Sequence, residues 1–153
     1  MKHALGTLSF RQLVGGLLVG GAITCGASAQ TPGALPYDTP TTVEGIEAVC
    51  SGVGVSNEDK ARWSKYPMKV VVSGKDGQFL AGEQLTVSQG GHEVVSVNCD
   101  GPWVLLKLTP GEYSVRATVD GKSVEARARV PKSGQGRVDL RFPNLGGSVS
   151  PEH

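Results

Sequence analysis

From Met68 onward, apolar and polar residues alternate with a period of two in short β-branched runs broken by turn residues. The pattern predicts seven strands: Met68 to Ser73, Gln84 to Ser88, Glu93 to Asn98, Trp103 to Leu108, Tyr113 to Val119, Lys122 to Val130 and Arg137 to Phe142. Between them, Lys75-Asp76-Gly77, Gly90-Gly91, Asp100-Gly101-Pro102, Pro110-Gly111 and Asp120-Gly121 supply the backbone angles that chain reversals need. An all-β fold, a seven-stranded antiparallel β-sandwich over residues 67–142, closes this pattern.

One turn fixes a register. A two-residue Asp120-Gly121 hairpin sets Val119 against Lys122, then Ala117 against Val124, Val115 against Ala126 and Tyr113 against Ala128 on one face, with Arg116 against Glu125 on the other. Apolar pairs inside and an opposite-charge pair outside are what that register requires. For the last strand two placements are open. Pairing with Val130 facing Val138 would set Arg129 opposite Asp139, whereas membership of the other sheet would split the outward arginines between two faces.

Ahead of the sandwich the pattern changes. Residues 30–55 open with Pro32, Gly33, Pro36 and Pro40 and read as an extended arm. Residues 56–66 read as a short helix: Ser56 and Asp59 have capping-box spacing, acidic residues come first and basic ones last, and Pro67 stops it. Trp63 and Tyr66, three apart, would share a helix face. Residues 143–153 carry little apolar content and read as a flexible tail. Residues 1–29 have the form of a secretory signal, with Lys2 and Arg11 before an apolar run and Ala27-Ser28-Ala29 before Gln30. The run is too short and too rich in glycine for a membrane span, so no integral membrane segment is expected after cleavage. Lipid anchoring at Cys25 is the rival address, and Ala22-Ile23-Thr24 fits it less well than the Ala-x-Ala site fits cleavage.

Composition narrows the class. With 39% hydrophobic residues, 22 Gly and 9 Pro, the chain reads as one turn-rich globular domain. Loss of Lys2 and Arg11 with the leader takes the 15 basic side chains to 13 against 14 acidic ones, so nucleic acid is not an expected partner. Cys50 and Cys99 are the cysteines left after cleavage. In an exported chain an even count is read first as a disulfide, with two buried thiols or a metal or redox pair as alternatives. Closing a loop of about 50 residues would contribute on the order of 4 kcal/mol.

Leu108-Thr109-Pro110-Gly111-Glu112-Tyr113-Ser114-Val115, followed by an Asp-Gly turn and an Ala/Val-alternating strand, resembles the carboxypeptidase regulatory-like domains of the transthyretin-like (prealbumin-like) β-sandwich class. Lys75-Asp76-Gly77 through Leu85-Thr86-Val87 looks like the opening of such domains, with Ala81 where a Pro is usual. The resemblance spans Met68 to Phe142 and implies a non-catalytic binding or structural accessory module of the cell envelope, periplasmic or secreted, with no cofactor and no metal. Its partner would be an envelope or extracellular protein or polymer, of identity unknown. The same class includes hydroxyisourate hydrolases, which makes a divergent hydrolase one alternative; a secreted inhibitor is another. Hydrolases of that kind need several positioned histidines and an arginine, and this chain has one internal histidine past the leader, His92. No catalytic residue is assigned.

Two groups of side chains suggest a working surface. If Val104, Leu106 and Leu108 face the core, Trp103 and Leu105 face outward, and an outward apolar pair must be covered or used. The Trp63 and Tyr66 edge is the expected cover, a docking patch the alternative. Second, Arg116, Arg127, Arg129, Arg137 and Arg141 crowd the outward positions of the last three strands, and with Arg116 opposite Glu125 and Arg129 opposite Asp139 it is mainly Arg127, Arg137 and Arg141 that are left unpaired. They could dock an anionic polymer or form a solvated charged face.

Overall fold

The structure is a computed structural model that describes residues 31–52 and 61–146. The leader, Cys25, the proposed Ser56 cap and residues 147–153 lie outside the described residues. Among the described residues, ten strands form two five-stranded mixed sheets: β1 (Gly33–Ala34), β2 (Thr41–Val43), β3 (Ile46–Ser51), β4 (Met68–Ser73), β5 (Glu83–Gln89), β6 (His92–Cys99), β7 (Trp103–Leu106), β8 (Gly111–Val119), β9 (Lys122–Val130) and β10 (Gly136–Arg141). Sheet A runs β1-β6-β5-β8-β9 and sheet B runs β10-β4-β7-β3-β2.

The fold is all-β, but the seven-stranded antiparallel expectation is corrected in two respects. All seven strands expected from alternation are present as β4 to β10, and three more precede them. Two pairings are parallel, β1 with β6 and β10 with β4. The added strands come from the segment read as an extended arm. A two-residue turn at Glu44 and Gly45, both at positive φ (52° and 81°), sets Val43 against Ile46 and folds β2 onto β3. β3 then lies inside sheet B, between β2 and β7.

The two inner faces share one core. Sheet A contributes Leu85, Val87, Val95, Val97, Val115 and Ala117, and sheet B contributes Ala48, Met68, Val70, Val72, Val104, Leu106 and Leu140, all buried. The hairpin register is as the turn chemistry dictates: Val119 faces Lys122, Val115 faces Ala126 and Tyr113 faces Ala128. On the outside Arg116 and Glu125 meet at 2.7 Å. β10, by contrast, joins β4 in sheet B with Val138 opposite Val70, so the pairing of Val130 with Val138 does not form. Arg129 instead approaches Glu112 at 3.6 Å, and Asp139 is held by Arg137. Leu145, in the stretch read as a tail, packs on the core, and its carbonyl accepts from the N–H of Lys75.

Candidate functional site

Cys50 and Cys99 form a disulfide with Cα atoms 5.4 Å apart. Cys50 belongs to β3 and Cys99 to β6, so the bond ties sheet B to sheet A through the buried interior. Tyr37 lies against the glycines beside it: a Cβ at Gly52 would meet the Tyr37 hydroxyl, and one at Gly101 would meet its ring and the Ser51 carbonyl. Close approach therefore requires both glycines. Such a bond is consistent with an oxidising compartment. Among the described residues no helix is long and apolar enough to cross a membrane.

At the same end of the molecule sits Glu83, which alternation from Leu85 and Val87 turns inward. It is 1% exposed and lies opposite Cys99 in the ladder. Among the described residues neither carboxyl oxygen finds a hydrogen-bond partner outside Glu83 itself. Burial, opposed by its own backbone and reinforced by the charge of Asp100, pushes its pKa up to about 8. A carboxyl in that position is mostly protonated at neutral pH.

The outer face of sheet B is apolar in its middle. Val49 of β3 and Leu105 of β7 are fully buried there under Trp63 and Tyr66, in a cluster separate from the main core. Residues 61–63 are helical, and the Gln135 side-chain amide donates to the carbonyls of Trp63 and Tyr66 at 3.0 and 2.9 Å, fixing the segment on the sheet. The Tyr66 hydroxyl donates to Glu47 at 2.6 Å. Burial first, then that contact, raises the phenol's pKa, and the same bond lowers that of Glu47. The cover thus falls on Leu105. Trp103 stands beside it, half-buried, with Phe79 against its ring edge and the Lys69 ammonium 3.4 Å from its centroid.

The outer face of sheet A is polar across β6, β5, β8 and β9. Reading across β6, β5, β8 and β9, the register aligns Glu93, Ser88, Ser114 and Arg127 in one row. Ser96, Thr86, Arg116 and Glu125 make the next, and Asn98, Gln84, Thr118 and Ser123 the third. Hydroxyls and charges bind one another across the strands: Thr86 with Ser96 at 3.2 Å, Ser114 to Glu125 at 2.8 Å and Thr118 with Ser123 at 2.7 Å. The contacts from Ser114 and Arg116 hold the Glu125 pKa below its ordinary value. A shift of register between Val87 and Ser88 inserts an extra residue on β6 and bends the β5–β6 hairpin. A groove of about 740 Å³ lies over the first two rows, walled by the hairpin tip at Gly90 and Gly91 and by Glu112 at the start of β8.

The structure separates the side chains singled out in the sequence. Trp63, Tyr66 and Leu105 meet in the buried cluster on sheet B, with Trp103 next to it. Arg127 lines the groove on sheet A. Arg141 lies on β10 in sheet B, its Nε 3.4 Å from the Gly74 carbonyl, so the arginine group is split between the two outer faces. Sequence reasoning did not single out Glu93, Ser88 and Ser114, because the row needs the β5–β8 and β5–β6 registers and the bulge. For Glu83 a signal was present in its parity with Leu85.

Neither a protein-family model nor a curated protein matches the chain. The resemblance of residues 108–115 and 75–87 to carboxypeptidase regulatory-like domains therefore stands on those residues alone.

Proposed function

We propose that the chain is an exported, non-catalytic binding or accessory module of the cell envelope, of the carboxypeptidase regulatory-like, transthyretin-like kind, and that it engages its ligand in the groove on the outside of sheet A. The observation that carries this reading is the groove's construction. Its floor is formed by cross-strand ladders inside a cross-linked sandwich, so its hydrogen-bonding side chains are held in place before any ligand arrives. The signal-like leader and the disulfide support an oxidising address outside the cytoplasm. The split of the arginines weighs against docking on an anionic polymer, since no single face gathers them.

The test is a titration of isotope-labelled protein, residues 30–153, with soluble fragments of envelope polymers, followed by amide chemical shifts. Shifts concentrated at Ser88, Ser114, Arg116 and Arg127 are the expected result. Shifts confined to the neighbourhood of Trp103 and Phe79, or none at any concentration, would remove the groove as the binding site.

A further inference from the structure

The charges of the groove do not all cancel internally. Arg116 is spent on Glu125 at 2.7 Å, and Glu112 faces Arg129 at 3.6 Å. Glu93 and Arg127 are both exposed, and among the described residues neither has an ion-pair partner. They stand at the two ends of one row, with Ser88 and Ser114 between them. Ser88 is half-buried and has no side-chain hydrogen bond among the described residues, and Ser114 gives its proton to Glu125, which leaves its oxygen free to accept. The row therefore reads acid, hydroxyl, hydroxyl, base across four strands.

We propose that this row binds an extended zwitterionic peptide of about four residues, laid across the strands with its free amine at Glu93 and its carboxylate at Arg127. The proposal rests on the reading of the groove as the binding site. Three strand spacings of about 4.8 Å separate the ends of the row by about 14 Å. An extended chain covers roughly 3.3 to 3.6 Å per residue, so four residues match that span. Peptide N–H and C=O groups in the middle of such a ligand meet hydroxyls, which serve as donor or acceptor. At the wall, Gly90 and Gly91 are both at positive φ (58° and 80°), the backbone that the tight turn of the β5–β6 hairpin requires. A polyanion laid along the row meets the Glu93 carboxylate, which has no ion-pair partner among the described residues, and is repelled there. A neutral glycan leaves an acid and a base at opposite ends without complements.

The probe is tetra-alanine with free termini, titrated into the labelled protein at low salt, with N-acetyl tetra-alanine amide as its uncharged twin. The free peptide is expected to shift the Ser88, Ser114 and Arg127 amides and to bind at least about tenfold more tightly than the blocked one, as a pair of charge-assisted contacts implies. Glu93→Lys and Arg127→Glu should each weaken it by about tenfold. The double variant, Glu93→Lys with Arg127→Glu, should restore binding, because the ligand can turn end for end; a merely structural role for these exposed residues gives no such rescue. Thermal midpoints of all variants check that the sandwich is intact. Equal binding of free and blocked peptides, or no rescue in the double variant, overturns the zwitterion while leaving the groove standing. If both peptides and the envelope fragments fail to shift the row, the groove itself is lost.

Discussion

The outsides of the two sheets are built on the same alternation and end as opposites. On sheet A the outward positions of three successive rows are hydroxyls, amides and charges, and water is their natural neighbour. On sheet B, Val49, Val71 and Leu105 are buried on the outside while Val70, Val72, Val104 and Leu106 are buried on the inside. A strand that is apolar on both sides needs a third layer, and the segment carrying Trp63 and Tyr66 supplies part of it. A sheet's free face is decided by which strands are apolar on one side only, and here the face left to water is that of sheet A.

The sharpest way to break this comparison is to place a charge on each side of one strand. Val115→Asp puts a carboxylate in the shared core and should unfold the domain, since the cost of several kcal/mol consumes most of a typical stability of about 5 to 15 kcal/mol. Thr118→Asp, outward on the same strand, should change the unfolding midpoint little. Equal thermal stability of the two variants would mean that the faces of sheet A are assigned the wrong way round.

A second contrast sets an outward residue of one sheet against an outward residue of the other. Leu105→Ala should cost about 3 kcal/mol in urea unfolding, as expected for a leucine enclosed by Val49, Trp63 and Tyr66. Arg116→Ala breaks an ion pair whose side chains are 60% and 47% exposed and should cost less than about 1 kcal/mol. Were Leu105→Ala as mild as Arg116→Ala, the aromatic cover on sheet B would be absent in solution.

A graded effect, spread over pH, lies at the end of the sandwich where the sheets are cross-linked. Glu83 has a folded pKa of about 8 against an ordinary value of 4.5, so its contribution to stability is complete below pH 4.5 and is lost as pH rises toward 8. In that window the unfolded chain gives up a proton that the folded one keeps. The loss is at most about 1.4 kcal/mol per pH unit, so on the order of 2 to 3 kcal/mol between pH 5 and pH 7. Relative to Glu83→Gln, the natural protein should therefore become steadily less stable across that range in unfolding titrations. Parallel pH profiles for the two proteins would show that the carboxyl reaches water.

Local chemistry made part of this architecture legible. The Asp120-Gly121 turn fixes each pair of the β8–β9 hairpin, because a two-residue loop leaves one register that buries Val115 and Ala117. β3 escaped because its turn, Glu44-Gly45, puts Glu at positive φ, where Asn or Asp would be the usual signal. The partner of β10 was not readable: alternation tells which side of Val138 and Leu140 is buried but not which strand lies beside them. Of the candidate site, the outward apolar pair at Trp103 and Leu105 and its aromatic cover were visible, though the cover settles on Leu105. The row from Glu93 to Arg127 was not, since it joins four strands through three registers and a bulge.

The position of the Cys50–Cys99 bond also decides how the molecule yields to tension. Drawn from its two ends, the chain releases β10, β9, β8 and β7 from one side and β1 and β2 from the other, and each travels until it reaches a cysteine. The 49-residue separation that carries β4, β5 and most of β6 then stays closed, withholding about 170 Å of contour at roughly 3.4 Å per residue. In the oxidised form the domain is thus a tether with a fixed stop, and a reductant is what lengthens it.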